Sequence, residues 1–314
     1  MTIVYADKKT MVFELLKKAA ELSKETIAVI IGEEKKDLAV EYISYGADKV
    51  IMVETDVVQY KAEEYAEILK QLIEENKTET VLIGSDKNGK ELASRLAGIL
   101  DTGCVIDATN VSLKDDKITT ERVVYSGNAV AVEQFNTTPA IITVPSKVFD
   151  PIKPDTSRKG EIITKKISPE TAATTITNIS ESKSDGVSVE DAEIIVSCGR
   201  GFKNKDDLKY ATDLADVLKG KTVGCSRPIA ADLKWLPEEH WIGLSGHKVK
   251  PQLYIAAGIS GQIQHIAGMR DSGVVVAVNK DPEALIFNSA DYGIVGDLYN
   301  VLPKLTTAIK EKME

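Results

Sequence analysis

Short β-branched runs alternate with segments of helical length along most of this chain, and that alternation leaves few folds open. Residues 3–5, 27–31, 50–53 and 81–83 read as strands, each followed by a helical period. In the first helix Phe13, Leu16 and Ala20 fall on one face, and in the third Tyr65, Ile68 or Leu69, and Leu72 do the same. Strands that alternate with one-sided helices imply a mainly parallel, right-handed sheet covered on both faces. From residue 104 to 144 the pattern changes to strands without long helices, 118–124 and 140–144 among them, which predicts edge strands or hairpins added to that sheet. The stretch Asp150-Pro151-Ile152-Lys153-Pro154-Asp155 and the Ser/Thr-rich run ending in Ser180-Glu181-Ser182-Lys183-Ser184-Asp185-Gly186 read as a connection between domains.

After that connection the alternation resumes, with strands at 193–197, 222–225, 253–257 and 274–278, and helices at 206–218, from Ser260, and across 298–310. The expectation is α/β, with two Rossmann-like doubly wound domains of mainly parallel sheet, residues 1–190 and 191–314. A length of 314 residues and 43% hydrophobic content can fill two cores. The formal net charge of -9 lacks the basic footprint that a phosphate backbone requires, so nucleic acid is excluded as a partner. No apolar run is long enough to span a bilayer, and Met1-Thr2-Ile3-Val4-Tyr5 enters a strand with no cationic leader, which predicts no stable membrane insertion and a cytoplasmic location. Cys104, Cys198 and Cys225 are widely separated and odd in number, offering neither a disulfide framework nor a CxxC metal site.

In an open α/β sheet, ligands sit outside the carboxyl ends of the strands. In the second domain those ends carry Gly199-Arg200-Gly201, Ser226-Arg227-Pro228, Gly243-Leu244-Ser245-Gly246, Gly258-Ile259-Ser260-Gly261 and Asn279-Lys280-Asp281. Glycines let a backbone approach closely, and arginine forks match phosphate oxygens, so the set suits a large phosphorylated ligand. Ser260 reads as the N-cap of a helix whose first amides face a pyrophosphate. With Ile263, Ile266 and Ala267 as that helix's buried stripe, His265 turns to the opposite side and is not a core histidine. His240 and His247 read as surface residues. A nicotinamide nucleotide is disfavoured: Gly199-Arg200-Gly201 has no third glycine, and Ser226-Arg227 stands where an acid would hold the ribose. No Ser-His-Asp constellation, zinc spacing or P-loop is present in the sequence, so no catalytic or metal-ligating residues are assigned.

The stretch Pro251-Gln252-Leu253-Tyr254-Ile255-Ala256-Ala257-Gly258-Ile259-Ser260-Gly261-Gln262-Ile263-Gln264-His265-Ile266-Ala267-Gly268 resembles the signature of electron transfer flavoprotein alpha subunits. Ala277-Val278-Asn279-Lys280-Asp281-Pro282-Glu283-Ala284 and Ala290-Asp291-Tyr292-Gly293-Ile294-Val295-Gly296-Asp297-Leu298 continue it, and Cys225-Ser226-Arg227-Pro228 is most similar to the FixB-like branch. The resemblance implies an electron carrier rather than an enzyme, holding FAD in its C-terminal domain and completed by a beta subunit in a heterodimer. It implies FAD contacts from Arg200, Ser226, Arg227, Gly243, Leu244, Ser245, Ser260, Gly261, Gln262, Ile263, Gln264, His265, Asn279, Asp297 and Leu298. Within that set Ser260 to His265 would serve the phosphates and ring edge, Asn279 and Asp297 the adenosine end, and Arg227 and Ser245 the isoalloxazine, with His265 adding a donor or a charge. Leu244-Ser245-Gly246 departs from the family's usual Gln-Thr-Gly or Gln-Ser-Gly and loses an amide there.

The partners implied are flavin dehydrogenases such as acyl-CoA dehydrogenases, in fatty acid or acyl-CoA metabolism. Two other readings stay open at this point: a subunit of a flavin-based bifurcating complex that oxidises NADH, and a nucleotide-binding regulatory module with no redox role. The N-terminal domain resembles the nucleotide-alpha-hydrolase type, and Arg122, Tyr125, Gly127 and Asn128 within it read as packing or subunit contacts.

Overall fold

The computed structural model describes residues 1–32, 35–57, 59–170, 172–179, 188–220 and 222–313. The chain separates into two compact units, Met1–Asn178 and Ile179–Glu314. The run 180–186, read above as part of a linker, lies outside the described residues.

The first unit opens β1 (Thr2–Tyr5), α1 (Lys9–Leu22), β2 (Thr26–Ile31), α2 (Lys36–Ser44), β3 (Lys49–Glu54), α3 (Ala62–Asn76), β4 (Thr80–Gly84) and α4 (Lys87–Ile99). It continues through β5 (Cys104–Val105), β6 (Ala108–Lys114), β7 (Lys117–Val124), β8 (Ala129–Gln134), β9 (Ala140–Val144) and β10 (Glu161–Lys166). Seven of these strands form a sheet in the order β10-β3-β2-β1-β4-β9-β5, and every pair in it is parallel. Buried on both faces, β1, β4 and β9 are apolar throughout or nearly so, as central parallel strands must be. One face is covered by α1 and α2 through residues such as Val12, Leu16 and Tyr42, the other by α3 and α4 through Leu69, Leu72 and Leu92. The buried stripe of α1 includes Ala19 rather than Ala20, which faces out.

Strands β6, β7 and β8 do not extend this sheet; they form a separate antiparallel one. The parallel sheet also gains β10, which pairs along its whole length with β3 inside the stretch read above as a connection. Its sequence, EIITKK, is half charged because it lies at an edge with one side open, so it lacks the apolar run that marks the inner strands.

The second unit holds β11 (Ile194–Cys198), α5 (Lys209–Val217), β12 (Val223–Cys225), β13 (Leu253–Ala257), α6 (Ile263–Met269), β14 (Val274–Asn279), β15 (Tyr292–Val295) and α7 (Leu298–Met313). Its five strands run in the order β12-β11-β13-β14-β15, all parallel. Alternate side chains divide between two faces. Val196, Cys198, Ile255 and Ala257 meet Leu214 of α5 and Leu302 of α7, while Ile195, Tyr254 and Ala256 meet Ile242, Ile259 and Met269 of α6. Among the described residues no helix is long and apolar enough to cross a membrane.

Candidate functional site

The chain leaves β11 for β12 on one side and then returns to β13 on the other, so β11 and β13 bracket a topological switch point. At their carboxyl ends the two loops pack backbone on backbone. Gly199 donates to the Ala257 carbonyl at 2.9 Å and Gly201 to the Gly258 carbonyl at 3.0 Å. A Cβ on Gly199 would stand 2.3 Å from the Gly258 oxygen, and one on Gly258 would stand 2.8 Å from both the Gly201 Cα and a Leu298 methyl. Gly258, at φ +63°, also adopts a backbone that side chains disfavour. The crevice floor is therefore bare main chain, and Leu298 is buried beneath it as part of that floor.

Arg200 follows β11 and Arg227 follows β12 with one residue between in each case, Gly199 and Ser226, and both arginines are exposed. Among the described residues neither forms an ion pair, in a chain where carboxylates outnumber cations. Arg227 lies over the Trp241 ring, its guanidinium carbon 5.9 Å from the ring centroid. A wide turn over Pro228–Asp232, closed by Leu233 donating to the Pro228 carbonyl at 2.9 Å, sets the direction in which Arg227 leaves the sheet. Ser226 is buried, its amide held by the Cys198 carbonyl at 2.9 Å.

The loop carrying Gly243, Leu244 and Ser245 docks on α6. Leu244 donates to the Gln264 carbonyl at 2.7 Å, and a Cβ on Gly268 would stand 2.5 Å from the Gly243 nitrogen. Leu244, Ser245, Ser260, Gln262 and Gln264 are exposed and Ile263 is half-buried. The structure thus gathers two groups at the carboxyl edge: Arg227 with the 243–245 loop and α6, and Arg200 with the Gly258 turn and Leu298. Asn279 ties into the second group, its Nδ2 donating to the Ile259 carbonyl at 2.9 Å and its Oδ1 accepting from the Asp281 amide at 3.0 Å. Asp297 accepts from the Tyr299 amide at 3.0 Å and caps α7. Both side chains shape the rim through bonds to their own chain.

Three expectations change. Ser260 is not the N-cap of α6; Gln262 is, with no side-chain cap bond. Gly261, at φ +82°, folds the chain against Ile286 and delays the helix to Ile263. Seven residues make too short a helix to lean on its dipole. His265 is not turned to the outer side either: it is 7% exposed, and the inward face of α6 is His265, Gly268 and Met269. The close approach of Gly268 to Gly243 fixes which face packs, overriding the apolar periodicity of Ile263, Ile266 and Ala267. His240 and His247, read as surface residues, are half-buried and bonded, His240 to the Val223 carbonyl and His247 to Glu190 at 2.9 Å.

Burial also settles the charge of His265. Loss of solvent pushes its pKa down to about 4, with the Ile242 backbone opposing weakly, so the imidazole is neutral at working pH and supplies no positive charge. Because the folded value lies below the unfolded one near 6.5, the unfolded chain binds the extra proton as pH falls. Stability from this residue is complete above about pH 6.5 and is lost toward pH 4. Unfolding by urea at pH 7 and pH 5 is expected to show about 2 kcal/mol of pH-dependent loss in the second unit that His265→Asn lacks. The buried thiols are inert by the same physics: burial raises Cys198, and raises Cys225 to about 12.

Three residues of this edge carry no signal in the strand pattern. Trp241 seats Arg227, and Tyr254 and Ser197 lie fully buried beneath His265. Trp241, two residues ahead of Gly243, is an aromatic at a loop that could have drawn notice; Tyr254 reads only as one more large residue in a strand.

Residues 4–170 match the electron transfer flavoprotein domain, and residues 188–270 match the electron transfer flavoprotein FAD-binding domain. The chain is 41% identical over 296 residues to the electron transfer flavoprotein subunit alpha of Bacillus subtilis (strain 168), covering 91% of this chain and 88% of that protein. It is 39% identical over 289 residues to the corresponding subunit of Thermoanaerobacterium thermosaccharolyticum, covering 90% and 87%. With the protein FixB of Escherichia coli O157:H7 the identity is 36% over 307 residues, covering 98% and 97%. The glycine floor, the two arginines without an ion pair among the described residues and the long parallel edge fit an extended dinucleotide, and with these matches the chain belongs to the electron transfer flavoprotein alpha subunit family, with FAD as its cofactor.

Proposed function

We propose that this chain is the FAD-holding half of a heterodimeric single-electron carrier that works between flavin dehydrogenases, such as acyl-CoA dehydrogenases, and a second redox partner in the cytoplasm. The observation that carries the reading is the pair Arg200 and Arg227, exposed at the ends of neighbouring parallel strands and without carboxylate partners among the described residues. FAD, when bound, supplies the one-electron chemistry. The chain supplies the rest. Arg200 and the bare glycine loops would hold the phosphates, and Asn279, Asp297 and Leu298 would form the rim beyond them. Arg227, fixed over Trp241, would place a permanent positive charge by the ring, beside Gly243, Leu244 and Ser245. Ser226, Ser260, Gly261, Gln262, Ile263 and Gln264 would complete the contacts, and neutral His265 would act through hydrogen bonding and not through charge. Leu244, 40% exposed, would exclude water where a side-chain amide would admit it.

A beta subunit would complete the site. Support comes from the antiparallel sheet, where Val123 opposes Val130 and Val132 follows on the same face, and these are 43%, 58% and 64% exposed. Introducing Val130→Asp and Val132→Asp together is expected to weaken assembly with the beta subunit at least tenfold while leaving the chain folded, as read by sedimentation and circular dichroism.

Co-expression with a beta subunit should give a yellow complex with one flavin per heterodimer, reduced by dithionite in two resolved one-electron steps. A colourless complex that ignores added FAD would overturn the proposal. Two flavins per heterodimer with NADH-dependent ferredoxin reduction would move it to the bifurcating reading. The regulatory nucleotide reading gains no support from the first unit, whose strand ends are filled by its own groups: Ser85 donates to Asp107 at 2.6 Å, Lys90 pairs with Asp107 at 3.0 Å, and Tyr5 and Asn88 both donate to Asp7.

A further inference from the structure

At its β12 edge the second sheet is extended by a short parallel bridge between Cys225 and Trp241, after which the chain turns through Gly243-Leu244-Ser245-Gly246 to His247. The base of that turn is tied on both sides. Ile242 donates to the Cys225 carbonyl at 2.8 Å and His247 to the Trp241 carbonyl at 2.8 Å, while Gly243 donates to the His247 carbonyl and Gly246 to the Gly243 carbonyl, each at 3.1 Å. The turn is also shaped around the indole. A Cβ on Gly246 would stand 2.9 Å from the Trp241 Cγ and 3.0 Å from its Cδ1, and one on Gly243 would stand 3.3 Å from its Nε1. Glycine at 246 leaves room for the ring where any side chain would collide with it.

The same ring carries Arg227, whose guanidinium carbon lies 5.9 Å from the centroid. Among the described residues the Arg227 side chain has no hydrogen bond or ion pair, so the indole is what it rests on. Trp241 is half-buried and packs on the apolar layer that holds Cys225 and Ile229, which fixes the ring in place. A long exposed side chain without a partner spreads its charge over many positions, and the field it exerts at any one point weakens with distance and with intervening water. An aromatic face gathers the guanidinium to one place and keeps water from one side of it.

We propose that Trp241 is a positioning residue for the redox site: one indole holds both the Arg227 guanidinium and the Gly243–Gly246 turn, so that the permanent cation and the Ser245 hydroxyl are set relative to each other before FAD binds. That role rests on the function proposed above, in which these two groups border the flavin ring. Without the indole Arg227 keeps its charge but is held less closely, and a one-electron reduction, which adds negative charge to the ring, becomes less favourable.

The test uses the FAD-loaded heterodimer. Trp241→Leu is expected to retain flavin and to lower the first one-electron midpoint, the equilibrium constant of that step falling about threefold or more. Trp241→Phe, which restores an aromatic face, is expected to recover most of the loss. In an Arg227→Gln background, adding Trp241→Leu should move the midpoint less than about half as far, because the cation that the indole places is gone. An equal shift in both backgrounds would reduce Trp241 to packing and overturn the proposal, as would an unmoved midpoint in Trp241→Leu where Arg227→Gln does move it. An Arg227→Gln midpoint equal to wild type overturns more: the placement of Arg227 by the ring, and the role of Trp241 with it. The seat itself is read in the wild type, from an alpha chain carrying 15N-arginine, in which six guanidiniums report. The Arg227 Nε–H signal, assigned by its loss in Arg227→Gln, is expected to be displaced upfield of its unfolded position by the indole ring current. An undisplaced signal overturns the proposal even if Trp241→Leu does not fold.

Discussion

Arg200→Ala combined with Arg227→Ala is expected to yield a folded, nearly colourless heterodimer whose FAD affinity has fallen on the order of 10²–10⁴-fold. Each guanidinium is exposed and without an ion pair among the described residues, so its loss costs the fold little. Charge-assisted hydrogen bonds are each worth about 1.5–3 kcal/mol, so two give about 3–6 kcal/mol of binding. The measurement is flavin absorbance after dialysis, followed by equilibrium titration with FAD, alongside a urea unfolding curve that should match wild type. Arg95→Ala is the control, because Arg95 already pairs with Glu91 at 3.0 Å and Glu63 at 3.5 Å in the first unit. Lysine at both sites should recover only part of the loss, since a point charge replaces a planar fork. Retention of FAD within threefold of wild type in the double alanine variant would remove the central support for the proposed site.

Gly261→Val should be the most damaging single substitution in the second unit, destabilising it by about 4 kcal/mol or more. The residue has φ +82°, a region a β-branched side chain does not tolerate, and that strain alone is worth about 1–3 kcal/mol. A Cβ there would also stand 2.1 Å from the Ile286 nitrogen and 2.4 Å from its Cα, main chain that cannot swing aside as a side chain would. The overlap adds a further ~1–3 kcal/mol and pushes the Ser260 turn off the crevice. Urea unfolding reads the stability loss, and FAD release at temperatures where the variant is still folded reads the displaced turn. Gly98→Ala is the counter-experiment: nothing lies within 4 Å of its Cβ in α4, and a gain of about 0.5–1 kcal/mol is expected. Equal effects at the two glycines would show that close backbone approach is not what Gly261 provides.

Much of this molecule is written in local pattern. The apolar runs of β1, β4 and β9 and the spacing of Leu69 and Leu72 in α3 are consequences of burial on a parallel sheet, and burial of that kind leaves a periodic trace that sequence alone reveals. Glycines and arginines after the strands could be read as a ligand edge, because strand ends face outward whatever the order of the strands. Edge strand β10 left no such trace, since a strand open on one side tolerates lysine and glutamate.

What only the tertiary structure decided concerns residues whose meaning depends on a neighbour distant in sequence. Periodicity placed His265 outside, yet Gly268 pressing on Gly243 turned it inward, onto a tyrosine that had looked like ordinary core. Desolvation then removed its charge, and Arg227 lies over Trp241 as a fixed cation. Local sequence determines which residues want to be buried or to bend; which of them meet, and with what protonation, is determined by packing, because solvation and hydrogen-bond partners exist only once the chain has closed.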